Sequence, residues 1–300
     1  MTTPPATVPA TVPAACEEAA LRQRLHRLCP GVIGEEPAIR TETSLLLPGR
    51  LGARPVIAKQ PTDRRPFWVQ RCLHEIAVYR ALEAAGPPPV PLPELVAADP
   101  ETPIVVVTRL PGDALGPDRY PATPPPPERV DLLLACLARM HAWRPTGGIF
   151  PVDDDYPAQY ARLGPLFTPD DLACVARLHH QVTHRLTLRI AHGDAHLGNA
   201  LLHDDAVALI DLEFTAWRPP GFDQAKLWVL LGDHPQAQAR LRDVIPADPW
   251  HQAAFWLAAA LICGRELRSH QRMAARQQRL ARLAADLHVS LHALHRSDLA

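Results

Sequence analysis

The sequence predicts an α+β chain in two parts, a smaller N-terminal one built on an antiparallel sheet and a larger, mainly helical one. Three observations carry this expectation. Short apolar runs punctuated by turn residues fill 38–60 and 94–109, a proline-rich stretch occupies 110–127, and beyond it apolar positions recur at helical spacing. Three hundred residues suffice for one large domain or two modest lobes with a sizeable core.

Residues 1–15 repeat Ala-Thr-Val-Pro without a charged side chain and read as a flexible tail outside the fold. From Cys16 onward, Leu21, Leu25 and Leu28 share a helical face that Pro30-Gly31 terminates. The runs Ser44-Leu45-Leu46-Leu47 and Pro55-Val56-Ile57-Ala58 flank Pro48-Gly49-Arg50-Leu51-Gly52, a β-hairpin signal with a longer, glycine-containing loop. A helix over 65–85 buries Leu73, Ile76, Ala77, Tyr79 and Leu82, and Gly86-Pro87-Pro88-Pro89 ends it. Strands are expected at 94–98 and 104–109, the second a β-branched run suited to mid-sheet. Leu110-Pro111-Gly112 and the prolines after it form a hinge, so 16–110 and 111–300 are expected as separate lobes. The second carries helices at 130–143, 170–185, 222–231, 250–262 and 266–295, interrupted at 186–214 by strand-like runs around a polar loop. That single β-rich break is where chemistry is expected.

The charge balance, 31 basic against 32 acidic residues, offers no reason at the level of the whole chain for binding nucleic acid or a membrane surface. Cys16, Cys29, Cys72, Cys136, Cys174 and Cys263 are dispersed without a C-x-x-C pair, as in a cytoplasmic protein with reduced thiols. No signal-peptide pattern and no membrane-length apolar stretch is visible, so a soluble, unexported protein is expected. Its oligomeric state is not encoded legibly. Nearly all basic residues are arginine, with Lys59 and Lys226 the only lysines, which makes each lysine informative.

The β-rich break reads Ile190-Ala191-His192-Gly193-Asp194-Ala195-His196-Leu197-Gly198-Asn199, then Val207-Ala208-Leu209-Ile210-Asp211-Leu212-Glu213. Phosphoryl transfer asks for a carboxylate to orient the attacking hydroxyl and oxygen ligands for Mg²⁺. Asp194 with an asparagine five positions on has the spacing of a kinase catalytic loop, and Asp211 ends an apolar strand from which it can reach the same ion. His192, His196 and Glu213 complete the set.

This segment resembles the aminoglycoside phosphotransferase family, which is similar in architecture to protein kinases. The resemblance implies a bilobal, protein-kinase-like fold, ATP or GTP between the lobes, Asp194 as catalytic base, and Asn199 with Asp211 as magnesium ligands. Val56-Ile57-Ala58-Lys59 resembles the strand whose lysine grips the nucleotide phosphates, with Glu75 on the next helix as its partner. Val106-Val107-Thr108-Arg109-Leu110-Pro111-Gly112 resembles the segment whose backbone meets adenine, which singles out Val107 and Arg109. Leu137-Ala138-Arg139-Met140-His141-Ala142 resembles the helix before the substrate region, with His141 a buried structural histidine. One hallmark is missing: Thr41-Glu42-Thr43-Ser44 has no glycine where kinases cover the phosphates, so hydroxyls and amides of Thr43 and Ser44 are the available substitutes.

Several polar groups have plainer readings. His179, His180 and His184 read as a solvated helix face, Asp153-Asp154-Asp155 as a solvated cap, and Asp223 as a cap that orders the catalytic loop. The end of the chain is rich in arginine (Arg265, Arg268, Arg272, Arg276, Arg279 and Arg282), opposite a leucine stripe of Leu280, Leu283, Leu287, Leu291 and Leu294. It reads either as a solvated face or as a surface that repels a polycationic aminoglycoside. Three functions stay open: a kinase of a hydroxylated small molecule (an antibiotic, sugar or amino-alcohol), a Ser/Thr kinase of a biosynthetic precursor peptide, or a nucleotide-binding pseudokinase. The joint presence of Lys59, Asp194, Asn199 and Asp211 speaks against the last.

Overall fold

The structure is a computed structural model that describes residues 14–35, 37–270 and 277–297. Of the expected tail, 1–13 lie outside the described residues, as do Arg272 and Arg276, whereas residues 14 and 15 already belong to the first helix. Two compact units emerge. One comprises the described residues up to Ile76 together with Glu94–Arg109, and the other comprises Ala77–Pro93 and the described residues from Leu110 onward.

The first unit contains α1 (Ala14–Leu28), β1 (Val32–Gly34), β2 (Ile39–Arg40), β3 (Ser44–Leu51), β4 (Arg54–Pro61), the start of α2 (Pro66–Ala85), β5 (Leu95–Asp99) and β6 (Ile104–Thr108). Its sheet is antiparallel in the order β1-β3-β4-β6-β5, with β2 also on β3. Leu21 and Leu25 of α1 pack on Leu45, Leu47, Val56, Ala58, Ile104 and Val106. Because successive side chains of a strand alternate, Ile57 and Lys59 point to the opposite face from that core.

The expected long hairpin loop is corrected. Strands β3 and β4 pair from Ser44↔Pro61 to Leu51↔Arg54, so the turn shrinks to Gly52-Ala53. Gly49 is not a turn residue: it pairs with Gly34 of β1, and a Cβ there would run into the carbonyl of Ile33. Pro48 is tolerated because its carbonyl accepts from Glu35 and no amide is needed.

The second unit adds β7 (Asp113–Ala114), α3 (Pro127–Ala142), α4 (Tyr156–Leu163), α5 (Pro169–Arg185), β8 (Arg189–Ala191), β9 (Ala200–His203), β10 (Ala206–Leu209), β11 (Ala216–Arg218), α6 (Phe222–Leu230), α7 (Pro235–Asp243), α8 (Pro249–His270) and α9 (Gln277–His295). α8 is its hub, buried along most of its length and packed on α4, α5, α6 and α9. Two small antiparallel sheets, β10-β9-β7 and β11-β8, carry the polar loop. Where two helices were expected at 250–262 and 266–295, α8 runs unbroken to His270 instead. Gly264 does not break it, because there it is packed against Leu163 and Phe167.

The arginine-rich end is also not a single solvated face. Arg265 meets Gln159, Arg268 meets the carbonyl of Arg162, and Arg282 is tied to Asp286, Asp233 and the carbonyl of Val229. Leu283, Leu287 and Leu294 are buried, as the leucine stripe requires. Among the described residues no helix is long and apolar enough to cross a membrane.

Candidate active site

In the sheet unit, Lys59 Nζ lies 3.0 Å from Glu75 Oε2, with Lys59 14% and Glu75 3% exposed. The pair follows from alternation on β4 and from the position of Glu75 beside the buried Ile76 of α2. Val107 lies in the middle strand between Ile57 and Leu95, and the Arg109 amide donates to the carbonyl of Pro55 at 3.0 Å. The turn at Thr43-Ser44 is closed on itself. The amides of Thr43 and Ser44 both donate to Thr41 Oγ1, at 3.4 and 2.9 Å, and the Thr43 carbonyl accepts from Thr62. A phosphate bound by those amides would have to replace the Thr41 hydroxyl.

In the helical unit, the loop after β8 is held by a single buried carboxylate. Asp223 Oδ2 accepts the His192 amide and Oδ1 the Gly193 amide, both at 2.8 Å, and His141 Nε2 lies 2.8 Å from Oδ2. Burial alone would raise the Asp223 pKa, yet the His141 hydrogen bond and charge, and then the Gly193 amide, lower it. The expected cap role is corrected here: Gly221 is the N-cap of α6, and Asp223, in its first turn, orders the loop. Gly193 (φ +82°) has no alternative residue, since any Cβ would strike the carbonyl of Phe214.

His192 joins the two halves of the motif. Its Nδ1 accepts the Asp194 amide at 3.4 Å, so Nε2 carries the proton and donates to the Ile210 carbonyl at 2.9 Å. Asn199, in a 3₁₀ turn, donates Nδ2 to the Asp194 carbonyl at 3.1 Å, which leaves its Oδ1 as the atom to offer a ligand. Asp211 follows β10 with φ +65°, a left-handed turn that aspartate tolerates better than most side chains. Its carboxylate and that of Glu213 approach within 4.8 Å of each other. His196 Nδ1 caps the 3₁₀ turn by accepting the Gly198 amide, while Nε2 stands 3.8 Å from Asp194 Oδ2.

Around Asp194 lie groups the sequence reading had not assembled. Lys226 Nζ of α6 is 3.1 Å from Asp194 Oδ1 and 2.9 Å from Glu266 Oε1 of α8. Arg119, from the proline-rich segment between β7 and α3, spans the same two acids, with Nη1 2.8 Å from Asp194 Oδ2 and Nη2 3.0 Å from Glu266 Oε1. Tyr120 donates to Glu266 Oε2 at 2.5 Å. Burial would raise the pKa of both acids, but the charges of Lys226 and then Arg119 outweigh it and hold both carboxyls far below their usual range. Burial pushes His196 down to about 4, which the Asp194 charge opposes and Arg119 and Lys226 reinforce. The one signal for this ring in the sequence was the scarcity of lysine, which applied to Lys226 as much as to Lys59.

A model of the phosphotransferase enzyme family matches residues 49–256. A comparison with curated protein sequences gives no match. Among solved structures, an aminoglycoside phosphotransferase in complex with ADP and hygromycin B shares 13% identity, covering 92% of this chain and 98% of that one with a TM-score of 0.57. The GDP complex of aminoglycoside 2'-phosphotransferase-IIIa shares 14% over 92% and 98%, at 0.59. A choline/ethanolamine kinase family protein from Mesorhizobium loti shares 19% over 93% and 98%, at 0.57. The fold is thus the α+β, bilobal, protein-kinase-like one, with a small antiparallel-sheet unit and a mainly helical unit. Because the family model spans well over half of its length, this chain belongs to the phosphotransferase enzyme family and is a kinase acting on a hydroxyl group.

Proposed function

We propose that the chain transfers the γ-phosphate of ATP, or GTP, to a hydroxyl of a small molecule, with Asp194 as the base and Asn199 and Asp211 as ligands of Mg²⁺. The observation that carries this reading is the closed loop in which Asn199 and His192 tie Asp194 to the strand end that bears Asp211. Asn199 Oδ1 and the carboxylates of Asp211 and Glu213 are all oxygen donors, the set a hard divalent cation prefers. Bound there, magnesium would neutralise charge on the transferring phosphates. Lys59, oriented by Glu75, is the group for the α and β phosphates. Val107 and Arg109, the latter with its amide engaged by the Pro55 carbonyl, belong to the segment proposed to meet the base, and Thr43 and Ser44 are the residues for a glycine-free phosphate cover. The sheet unit would thereby serve the nucleotide and the helical unit the acceptor.

In the transfer, the acceptor oxygen attacks the γ-phosphorus, its proton passes to an Asp194 oxygen, and the nucleoside diphosphate leaves. Asp194 is held ionised by two cations, so it is a weak base that serves first to aim the hydroxyl. That suits a loose transition state in which proton transfer comes late. Amino-alcohols, sugars and hydroxylated antibiotics fit the small-molecule class, in keeping with the hygromycin and choline/ethanolamine names of the structural neighbours. No specific observation favours a precursor peptide as acceptor, and Arg265 and Arg282 of the arginine-rich end are engaged within the fold.

The test is release of nucleoside diphosphate from ATP and from GTP, with and without Mg²⁺, across hydroxylated acceptors. Asp211→Asn is expected to abolish Mg²⁺-dependent nucleotide binding, measured by titration calorimetry. Unchanged binding by that variant would remove Asp211 from the metal site.

A further inference from the structure

The ring around Asp194 holds more hydrogen-bond donors than acceptors. Arg119 offers five N–H groups and the two acids engage it through Nη1 and Nη2, while its side chain is 37% exposed. Lys226 bridges the same two acids. A third cation closes on the cluster: the Arg279 guanidinium of α9 stacks on the Tyr120 ring at 4.0 Å, the ring whose hydroxyl binds Glu266. Arg279 Nε is buried and meets no acceptor among the described residues. A third cation therefore stands, across the Tyr120 ring, beside the two that share a pair of carboxylates. One of those, Asp194, loses its charge at the moment it takes the acceptor's proton.

An unsatisfied buried donor beside an arginine with exposed N–H groups is what an anionic ligand completes, and what a cationic ligand is repelled by. From this we propose, resting on the phosphotransferase reading above, that the acceptor is a hydroxy compound carrying an anionic oxygen group, a carboxylate or a phosphate, close to the reacting hydroxyl. Arg119, with Arg279 behind it, binds the anion and so presents the hydroxyl to Asp194. Arginine suits this role because its planar fork matches two oxygens at once. When the anion engages Arg119, its hold on Asp194 loosens, which frees the Oδ2 edge for the hydroxyl. A polycationic aminoglycoside would instead meet Arg119, Lys226 and Arg279 together.

The experiment uses the full chain with ATP and Mg²⁺ and compares acceptors of one carbon skeleton: glycerate and glycerol phosphate as anions, glycerol as the neutral compound, and 3-aminopropane-1,2-diol as the cation, alongside kanamycin. The expected result is at least tenfold higher kcat/KM for an anionic acceptor than for the neutral and cationic ones. Arg119→Gln should collapse that ratio towards one, mainly through KM, and Arg119→Lys should retain part of it. Arg279→Gln, which leaves Arg119 in place, should lower the ratio less. Preference for the amino-diol or kanamycin, or a ratio that Arg119→Gln leaves intact, overturns the anionic acceptor while phosphoryl transfer stands. No diphosphate release with any acceptor counts against phosphoryl transfer itself, and the anionic acceptor falls with it.

Discussion

The chain's two lysines meet buried acids in different ways, one in each unit. Lys59 reaches Glu75 across a strand and a helix neighbouring in sequence, whereas Lys226 is shared between Asp194 and Glu266, which Arg119 bridges a second time. The first arrangement points one ammonium in one direction and keeps it 14% exposed, which supports the phosphate role proposed for it. The second forms a closed ring in which each acid answers two cations. A closed ring fixes the orientation of Asp194 and keeps it ionised. On the function proposed above, buried ionic groups serve presentation in one unit and restraint in the other.

The sharpest way to break this contrast is to remove the restrained group itself. Asp194→Ala should lower turnover by about 10²–10⁴-fold with nucleotide affinity kept, read by diphosphate release and by nucleotide titration. A variant that kept its rate would leave the ring without a catalytic purpose. Next comes the presenting pair. Lys59→Met should weaken nucleotide binding at least about tenfold and, by taking away the 3.0 Å partner of a buried carboxylate, cost about 3 kcal/mol of stability. Adding Glu75→Gln should restore the melting temperature and not the affinity. Recovery of both would show that Lys59 is structural.

Lys226→Met should cost less stability than Lys59→Met, because Arg119 still spans Asp194 and Glu266. Its signature is in pH. Asp194 is depressed in the folded state, so its ionised form is secure above the ordinary aspartate value near 4 and is lost only as pH falls through the lower folded value. Removing the Lys226 charge raises that folded value, and the acid limb of kcat/KM should move to higher pH. An acid limb that stays in place would leave Lys226 a packing residue.

What the sequence disclosed and what it hid divides along the same line. Lys59, Asp194, Asn199 and Asp211 stand in runs of a few residues, where strand alternation and loop spacing act locally. Lys226 and Glu266, 40 positions apart, meet because α8 packs on α6, and Arg119 lies 147 positions before Glu266, so no window of sequence contains the ring. Arg119 was passed over inside a proline-rich stretch read as a hinge. Glu266 was counted merely as an acid among arginines. Asp153-Asp154-Asp155 reads as a cap, and Asp155 is one, accepting the Ala158 amide, but the short helix α4 that it starts was not expected, with Pro157 in its first turn. Asp153 escaped for another reason: its partner Arg218 is fully buried, which no composition rule anticipates for an arginine.

The smallest effect concerns His196, which touches the ring from outside. Its folded pKa of about 4 lies below the ordinary histidine value near 6.5, so the unfolded chain binds the extra proton first as pH falls. Stability from this residue is whole above about pH 6.5 and declines between there and 4, by at most about 1.4 kcal/mol per pH unit for one proton. His196→Asn keeps an acceptor for the Gly198 amide, and asparagine caps well, so at pH 7.5 the variant should unfold within about 1 kcal/mol of wild type. Denaturant titrations at pH 7.5 and 5 should then differ less for the variant than for the wild type. Equal differences would mean that His196 is protonated in the folded protein, and the ring would then carry a further positive charge beside Asp194.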